Sequence, residues 1–353
     1  MKPLPWTVRL TLFAAAALSL SALPSAPSDR PAELVIRDNL DRRVTIPDRV
    51  ARAVSLEPEI TRLIVALGAG DRLVGIDYFL KTQDRVLPLV FPAAGTLPVV
   101  SYQGQFPNFE EIVRLRPDLV FSSPSEFEWT QSLQQKIRTP VAALASLGRF
   151  ANLLEETALL GRIFDRPDRA DDLADYFRRE TGCLRRGRSR EPRVYLSFWG
   201  SLLRTPVRYE PVEAAGGRNC ASGLLPAALG SAATTVSVEQ IVRWNPDIIL
   251  IQGNYPPDER AVTVEDVLSD SRLASVSAVR ERRVHYTFGF WYWWDPALVV
   301  VETAYLASLF HPQEFPGFDL DRTGRAAFEE FYGSAAAFAA LAEALKCHEW
   351  LRR

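Results

Sequence analysis

The chain has 353 residues, more than one compact domain usually holds, with 47% hydrophobic and 24% charged residues. That composition allows a sizeable core and excludes wholesale disorder. Its 41 basic and 43 acidic residues leave a net charge of -2, so no global field draws it to nucleic acid or to an anionic membrane.

The amino terminus carries Lys2 and Arg9, then an apolar run from Leu10 to Leu23 broken only by Thr11, Ser19 and Ser21, then Pro24-Ser25-Ala26-Pro27. A basic flank, a short apolar run and small residues in that order predict a secretory signal peptide over residues 1–26. The run is short for a spanning helix, which needs about 20 apolar residues. With no cysteine near the cleavage region, release into the periplasm is expected rather than lipid anchoring. The three cysteines, Cys183, Cys220 and Cys347, form no CxxC pair and are too few for a disulfide framework. One bridge with one thiol left over suits an oxidising compartment, with the pairing left open.

Glu33 to Ile46 alternates as a hairpin with its turn near Asn39 to Asp41. Ala51 to Leu56 reads as a buried strand. A helix from Pro58 to Leu67 follows, with Ile60, Leu63, Ile64 and Leu67 on one face and Gly68 as its stop. Leu73 to Asp77 is the next strand, giving the β-helix-β alternation of a parallel α/β domain. Phe109-Glu110-Glu111-Ile112-Val113-Arg114-Leu115-Arg116-Pro117-Asp118-Leu119-Val120 is echoed by Val238-Glu239-Gln240-Ile241-Val242-Arg243-Trp244-Asn245-Pro246-Asp247-Ile248-Ile249. Each copy predicts a short helix with an acidic first turn, a Pro-Asp turn and an apolar strand. The chain is therefore expected to hold two related α/β lobes, at 33–165 and 191–310, joined by one long helix within 166–190. The arginines at 185, 186, 188 and 190 read as a solvated helix end. Strands at Arg193 to Trp199 and Arg283 to Phe288 and a helix from Pro296 to Leu309 complete the second lobe. Residues 311–353 read as a helical extension, with an Ala-rich helix from Ser334.

The run Arg52 to Ile60, the run Gly68 to Asp77, the two repeats and Leu273 to Val284, in that order, resemble the periplasmic binding proteins for cobalamin, ferric siderophores and haem. The resemblance implies two Rossmann-like lobes joined by a rigid helix, with ligand held in the cleft between them. It implies delivery of a metal chelate or corrinoid to the permease dimer of an ABC importer with its ATPase subunits. It also implies that a glutamate on each lobe docks onto that permease; the motif positions fall on Glu110 and Glu239, which the internal repeat pairs. A monomer with no resident cofactor is expected.

In such a fold the cleft is lined by loops that follow strands. The candidates are Tyr78, Tyr102, Trp199 with Arg204, and Trp291, Tyr292 and Trp293, the last three in an aromatic run that ends at Trp294. One aromatic ring buries about 150–250 Å², so a few rings suffice to anchor a ligand. Arg204 or Arg208 is placed to meet a carboxylate or phosphate.

Direct metal capture needs clustered ligands, and His285, His311 and His348 are scattered. The sequence has no GxGxxG, P-loop or GxSxG motif, so an enzyme is not expected. A receptor or sensor using the same two-lobed fold without transport is the alternative reading.

Overall fold

The computed structural model describes residues 33–101, 106–182, 184, 191–227, 233–289 and 294–350. The expected leader lies outside the described residues, as do Tyr102, Cys183, the arginines at 185–190 and Trp291, Tyr292 and Trp293.

Strands β1 (Glu33–Arg37) and β2 (Arg43–Pro47) form the expected antiparallel hairpin. Its turn is organised by Asp38, whose carboxylate accepts from the Leu40 and Arg42 N–H groups. The first lobe then unfolds as β3 (Ala53–Ser55), α1 (Pro58–Ala66), β4 (Leu73–Ile76), α2 (Tyr78–Thr82), α3 (Leu87–Val90), α4 (Phe109–Leu115), β5 (Leu119–Ser122), α5 (Phe127–Lys136), β6 (Val141–Ala143) and α6 (Phe150–Ile163). After α7 (Pro167–Gly182) come β7 (Arg193–Ser197), β8 (Arg204–Pro206), α8 (Glu210–Ala214), β9 (Arg218–Asn219), β10 (Ala233–Thr235), α9 (Val238–Trp244), β11 (Ile248–Gln252), α10 (Val264–Ser269), α11 (Ser277–Arg280), β12 (Val284–Thr287) and α12 (Pro296–Phe310).

Both lobes carry a four-stranded, wholly parallel sheet, ordered β4-β3-β5-β6 in the first and β9-β7-β11-β12 in the second. The two orders are superimposable, so the repeat seen in twelve residues extends to a whole lobe. The central strands are apolar throughout, as covered parallel strands must be; Ile248, Ile249, Leu250 and Ile251 are all fully buried.

The repeated segment explains its own geometry. Asn108 and Ser237 cap α4 and α9, accepting from the N–H groups of Glu111 and Gln240 at 3.0 and 3.2 Å. Both helices end on a left-handed residue, Arg116 (φ 47) and Asn245 (φ 46), which turns the chain into Pro-Asp. The aspartates then brace the neighbouring strand: Asp118 accepts from the Arg52 N–H and Asp247 from the Arg193 N–H, each at 2.8 Å. The guanidinium of that same arginine donates to the last helical carbonyl, Arg52 to Leu115 and Arg193 to Trp244.

Helix α7 is the long connecting helix, and α6 packs along it, with Phe150 edge-on to Phe177 at 4.9 Å. Helix α12 is apolar on every side and buried along nearly its whole length, the pattern of a core helix. The extension forms a hairpin of α13 (Leu320–Tyr332) and α14 (Ala335–Ala344) turned at Gly333. It straps several elements together. Arg169 of α7 donates to the Phe331 carbonyl at 3.2 Å. The Tyr332 hydroxyl donates to Asp295 at 2.6 Å. Asp295 sits 4.0 Å from Arg62 of the first lobe, which is paired with Asp84 at 2.9 Å in a fully buried bridge. Trp350 packs on Phe288 at 4.7 Å. Cys220 and Cys347 are free cysteines, and burial pushes the Cys220 thiol up to about 11.

Candidate functional site

In an open parallel sheet, ligands bind beyond the carboxyl ends of the strands. In the second lobe that edge is built by Ser197, Trp199, Gln252 and Tyr255, which with Gln83 of the first lobe line a cavity of about 430 Å³ between the lobes. Arg85 and Glu259 form an ion pair from one lobe to the other beside it. A larger hollow of about 1140 Å³ opens at the opposite, amino edge of the second sheet, among Pro192, Arg283, His285 and His311. Its position argues against it, and the site is placed at the carboxyl edge.

Trp199 is presented by an uncommon turn. Strand β7 runs into a two-residue hairpin, Phe198 pairing with Ser201 around Trp199 (φ 55) and Gly200 (φ 61). Two consecutive positive φ values mark a type I′ turn, where Asn-Gly is usual and a bulky residue is strained. Gly200 also has no space for a side chain, because a Cβ there would lie 2.8 Å from that of Ala261. The turn is pinned by the Trp199 N–H, which donates to the Gln252 side chain at 2.7 Å. The indole is 41% exposed, and the Arg204 guanidinium lies 4.8 Å from its ring centroid. The structure therefore brings Trp199 and Arg204 together on one wall.

Tyr78 is the first residue of α2, half-buried at the carboxyl end of β4; it does not line the 430 Å³ cavity. Tyr102, Trp291, Tyr292 and Trp293 fall outside the described residues. Trp294, at the end of that aromatic run, is a core residue at 1% exposure, packed against Phe150 and Tyr209. Glu110 and Glu239 are both exposed, each the second residue of its helix. The Ser237 hydroxyl beside Glu239 holds its carboxyl below the usual range.

Sequence reasoning missed Arg260 and the rim of the first lobe. Arg260 lines the cavity and is held rigidly, its guanidinium 4.1 Å from the Tyr286 ring centroid and donating to the carbonyls of Tyr255 and Leu345. Phe106 (51% exposed), Phe127 (45% exposed) and Trp129 cluster at the carboxyl side of the first sheet, with Phe106 6.0 Å from Trp129. Phe127 and Trp129 follow Ser122-Ser123-Pro124 at a strand end, the same signal that singled out Trp199.

Behind the first-lobe wall lies a set of buried carboxyls. Glu59 accepts from the Ser146 N–H and hydroxyl at 2.9 and 2.8 Å and from the Trp294 N–H at 3.2 Å, tying α1 to both lobes. Burial raises the Glu59 and Glu156 carboxyls, that of Glu156 well above the usual carboxylate range. Asp77, which caps α2, is pushed up to about 7 by burial. In the second lobe Glu302 is likewise pushed up to about 7 by burial while accepting from the Phe288 N–H at 3.0 Å and from Thr287 and Tyr209. These groups hold loops in place. Among the described residues no group of three or more His, Cys, Asp or Glu is arranged to hold a metal ion.

Residues 53–288 match the family model for periplasmic binding proteins. The chain is 29% identical over 358 residues to the molybdate-binding protein MolA of Haemophilus influenzae, covering 89% of this chain and 93% of that protein. It is 28% identical over 227 residues to the vitamin B12-binding protein of Yersinia pestis, covering 60% and 72%. Among solved structures, molybdate-bound MolA of Haemophilus influenzae shares the fold with a TM-score of 0.67 at 23% identity, covering 85% of this chain and 98% of that one.

Proposed function

Because this chain belongs to the periplasmic binding protein family, we propose that it captures a metal-bearing solute in its interlobe cleft and hands it to the permease dimer and ATPase subunits of an ABC importer. It is a solute-binding protein rather than an enzyme. Export is assigned to the leader over residues 1–26. Ferric siderophores, haem and corrinoids are the ligands that the sequence resemblance suggests, while MolA of Haemophilus influenzae, which matches over 358 residues, is a molybdate-binding protein. A cavity of about 430 Å³ with Arg204, Gln83 and Gln252 on its walls suits a compact polar solute, at the lower end of the volumes of small-molecule sites. We therefore favour a small metal chelate or a metal oxyanion over a corrinoid.

The observation that carries the importer reading is the twofold repeat. Glu110 and Glu239 occupy the same position of the same capped helix in two lobes of identical strand order, as a symmetric partner would require. The double variant Glu110→Ala/Glu239→Ala should keep the solute affinity of the wild type. Its affinity for the permease complex in detergent or nanodiscs should fall by more than about tenfold, the scale of losing desolvated interfacial charge pairs. Unchanged complex formation and transport would remove these glutamates from the docking surface.

A further inference from the structure

The two walls of the cleft touch at its solvent side. Arg85 stands in the loop after α2 of the first lobe, and its guanidinium donates to the carboxylate of Glu259, in the loop after β11 of the second. Both side chains remain partly exposed. A deeper link between the lobes has the opposite character, since Arg62 and Asp295 face each other at 4.0 Å with both side chains fully buried.

Each partner of the outer pair rests on a fixed base. Asp84, just before Arg85, is buried; its carboxylate meets Arg62 at 2.9 Å and accepts from the Val86 and Leu87 N–H groups at 3.1 and 3.3 Å. On the other wall, Pro256 and Pro257 stiffen the approach to Glu259. Arg260, just after it, donates to the Tyr255 and Leu345 carbonyls at 3.0 and 2.6 Å. With both loops anchored beside the pair, the parts left free to separate are the two long side chains. They stand beside the solute cavity, whose lining includes Gln83 on one wall and Tyr255 and Glu259 on the other. An exposed ion pair is weak and screened by salt, so it breaks and re-forms readily, which suits a gate better than a strut.

We propose that Arg85 and Glu259 form a latch across the cleft, which parts to admit or release the solute and thereby sets the rate of exchange rather than the affinity. This role presupposes the cleft as the solute site and adds the step that limits passage into it. The pair closes the cavity without drawing on any group of the solute, so its loss speeds entry and exit alike.

The test uses the exported protein as wild type, Arg85→Gln, Arg85→Glu and the reversed pair Arg85→Glu/Glu259→Arg. Without solute, amide hydrogen exchange over residues 83–87 and 253–262 should be about two- to fivefold faster in Arg85→Gln, the factor that a surface ion pair supplies. It should be faster still in Arg85→Glu, which sets two carboxylates face to face, and should return toward wild type in the reversed pair. Added sodium chloride should speed exchange in wild type and leave Arg85→Gln unchanged. Equal exchange in all four proteins overturns the latch. In stopped-flow mixing with sodium molybdate, followed by tryptophan fluorescence, Arg85→Gln should raise the on and off rates by the same factor of about two to five, leaving Kd within about twofold of wild type. An off rate raised alone makes Arg85 a solute contact and also overturns the latch. Wild type that binds neither molybdate nor ferric citrate counts against the solute proposed above and not against the latch, which hydrogen exchange decides without solute.

Discussion

Trp199 holds a conformation that the fold by itself would not select. A bulky residue at positive φ in a type I′ turn is strained by about 1 kcal/mol or more, and such strain persists where function requires it. The indole is 41% exposed, with the Arg204 guanidinium over its ring. Trp199→Asn creates the Asn-Gly sequence that this turn prefers. The variant should unfold at higher denaturant, by about 0.5–1 kcal/mol, while binding its solute at least about tenfold more weakly, as when an aromatic anchor is lost. A variant more stable than wild type with full affinity would make the tryptophan a surface residue with no part in the site.

At the scale of elements, the helix-turn-strand unit is built twice from one plan and then diverges in its details. Arg116 and Asn245 both adopt the left-handed conformation that ends their helices. Only Asn245 is tied elsewhere, its side-chain oxygen accepting from the Ser277 N–H at 2.7 Å and so capping α11. Arg116→Gly should therefore be neutral or stabilising by less than about 1 kcal/mol, because glycine removes the Cβ penalty. Asn245→Gly should lower stability by about 1 kcal/mol through the lost cap. Urea unfolding of the two variants checks the contrast, and equal effects would show that the Ser277 bond contributes nothing.

For the whole molecule, the buried carboxyls predict how stability depends on pH. Asp77 and Glu302 are each pushed up to about 7 by burial, and Glu57 and Glu156 are raised well above the carboxylate range for the same leading reason. In the unfolded chain these groups ionise near pH 4. Between about pH 4 and pH 7 the folded protein keeps protons that the unfolded chain has released. Their contribution is thus fully present below the unfolded pKa and is lost as pH rises through the folded one, at about 1.4 kcal/mol per pH unit for each group. Denaturant unfolding should give a higher stability at pH 5 than at pH 7.5. Asp77→Asn, which keeps the cap on α2, should flatten the dependence. Equal stability at the two pH values would mean that these carboxyls are ionised in the fold.

The sequence by itself determined the elements and the repeat. Period-2 and period-3.6 patterns, capping residues and Pro-Asp turns are local, so the β1–β2 hairpin, α1, the paired helices α4 and α9 and the strands after them are legible in it. The packing of α6 along α7, the β8–β10 ribbon and the strap formed by α13 and α14 were not anticipated in their structural roles, because long-range packing defines them. Trp199 and Arg204 could be nominated as neighbours, since a tight hairpin joins them. Arg260 and the Phe106–Trp129 rim depend on residues far apart in the chain. Only the tertiary structure decided those, because burial and the pairing of charges are set by what the folded chain brings near, and sequence distance carries no record of it.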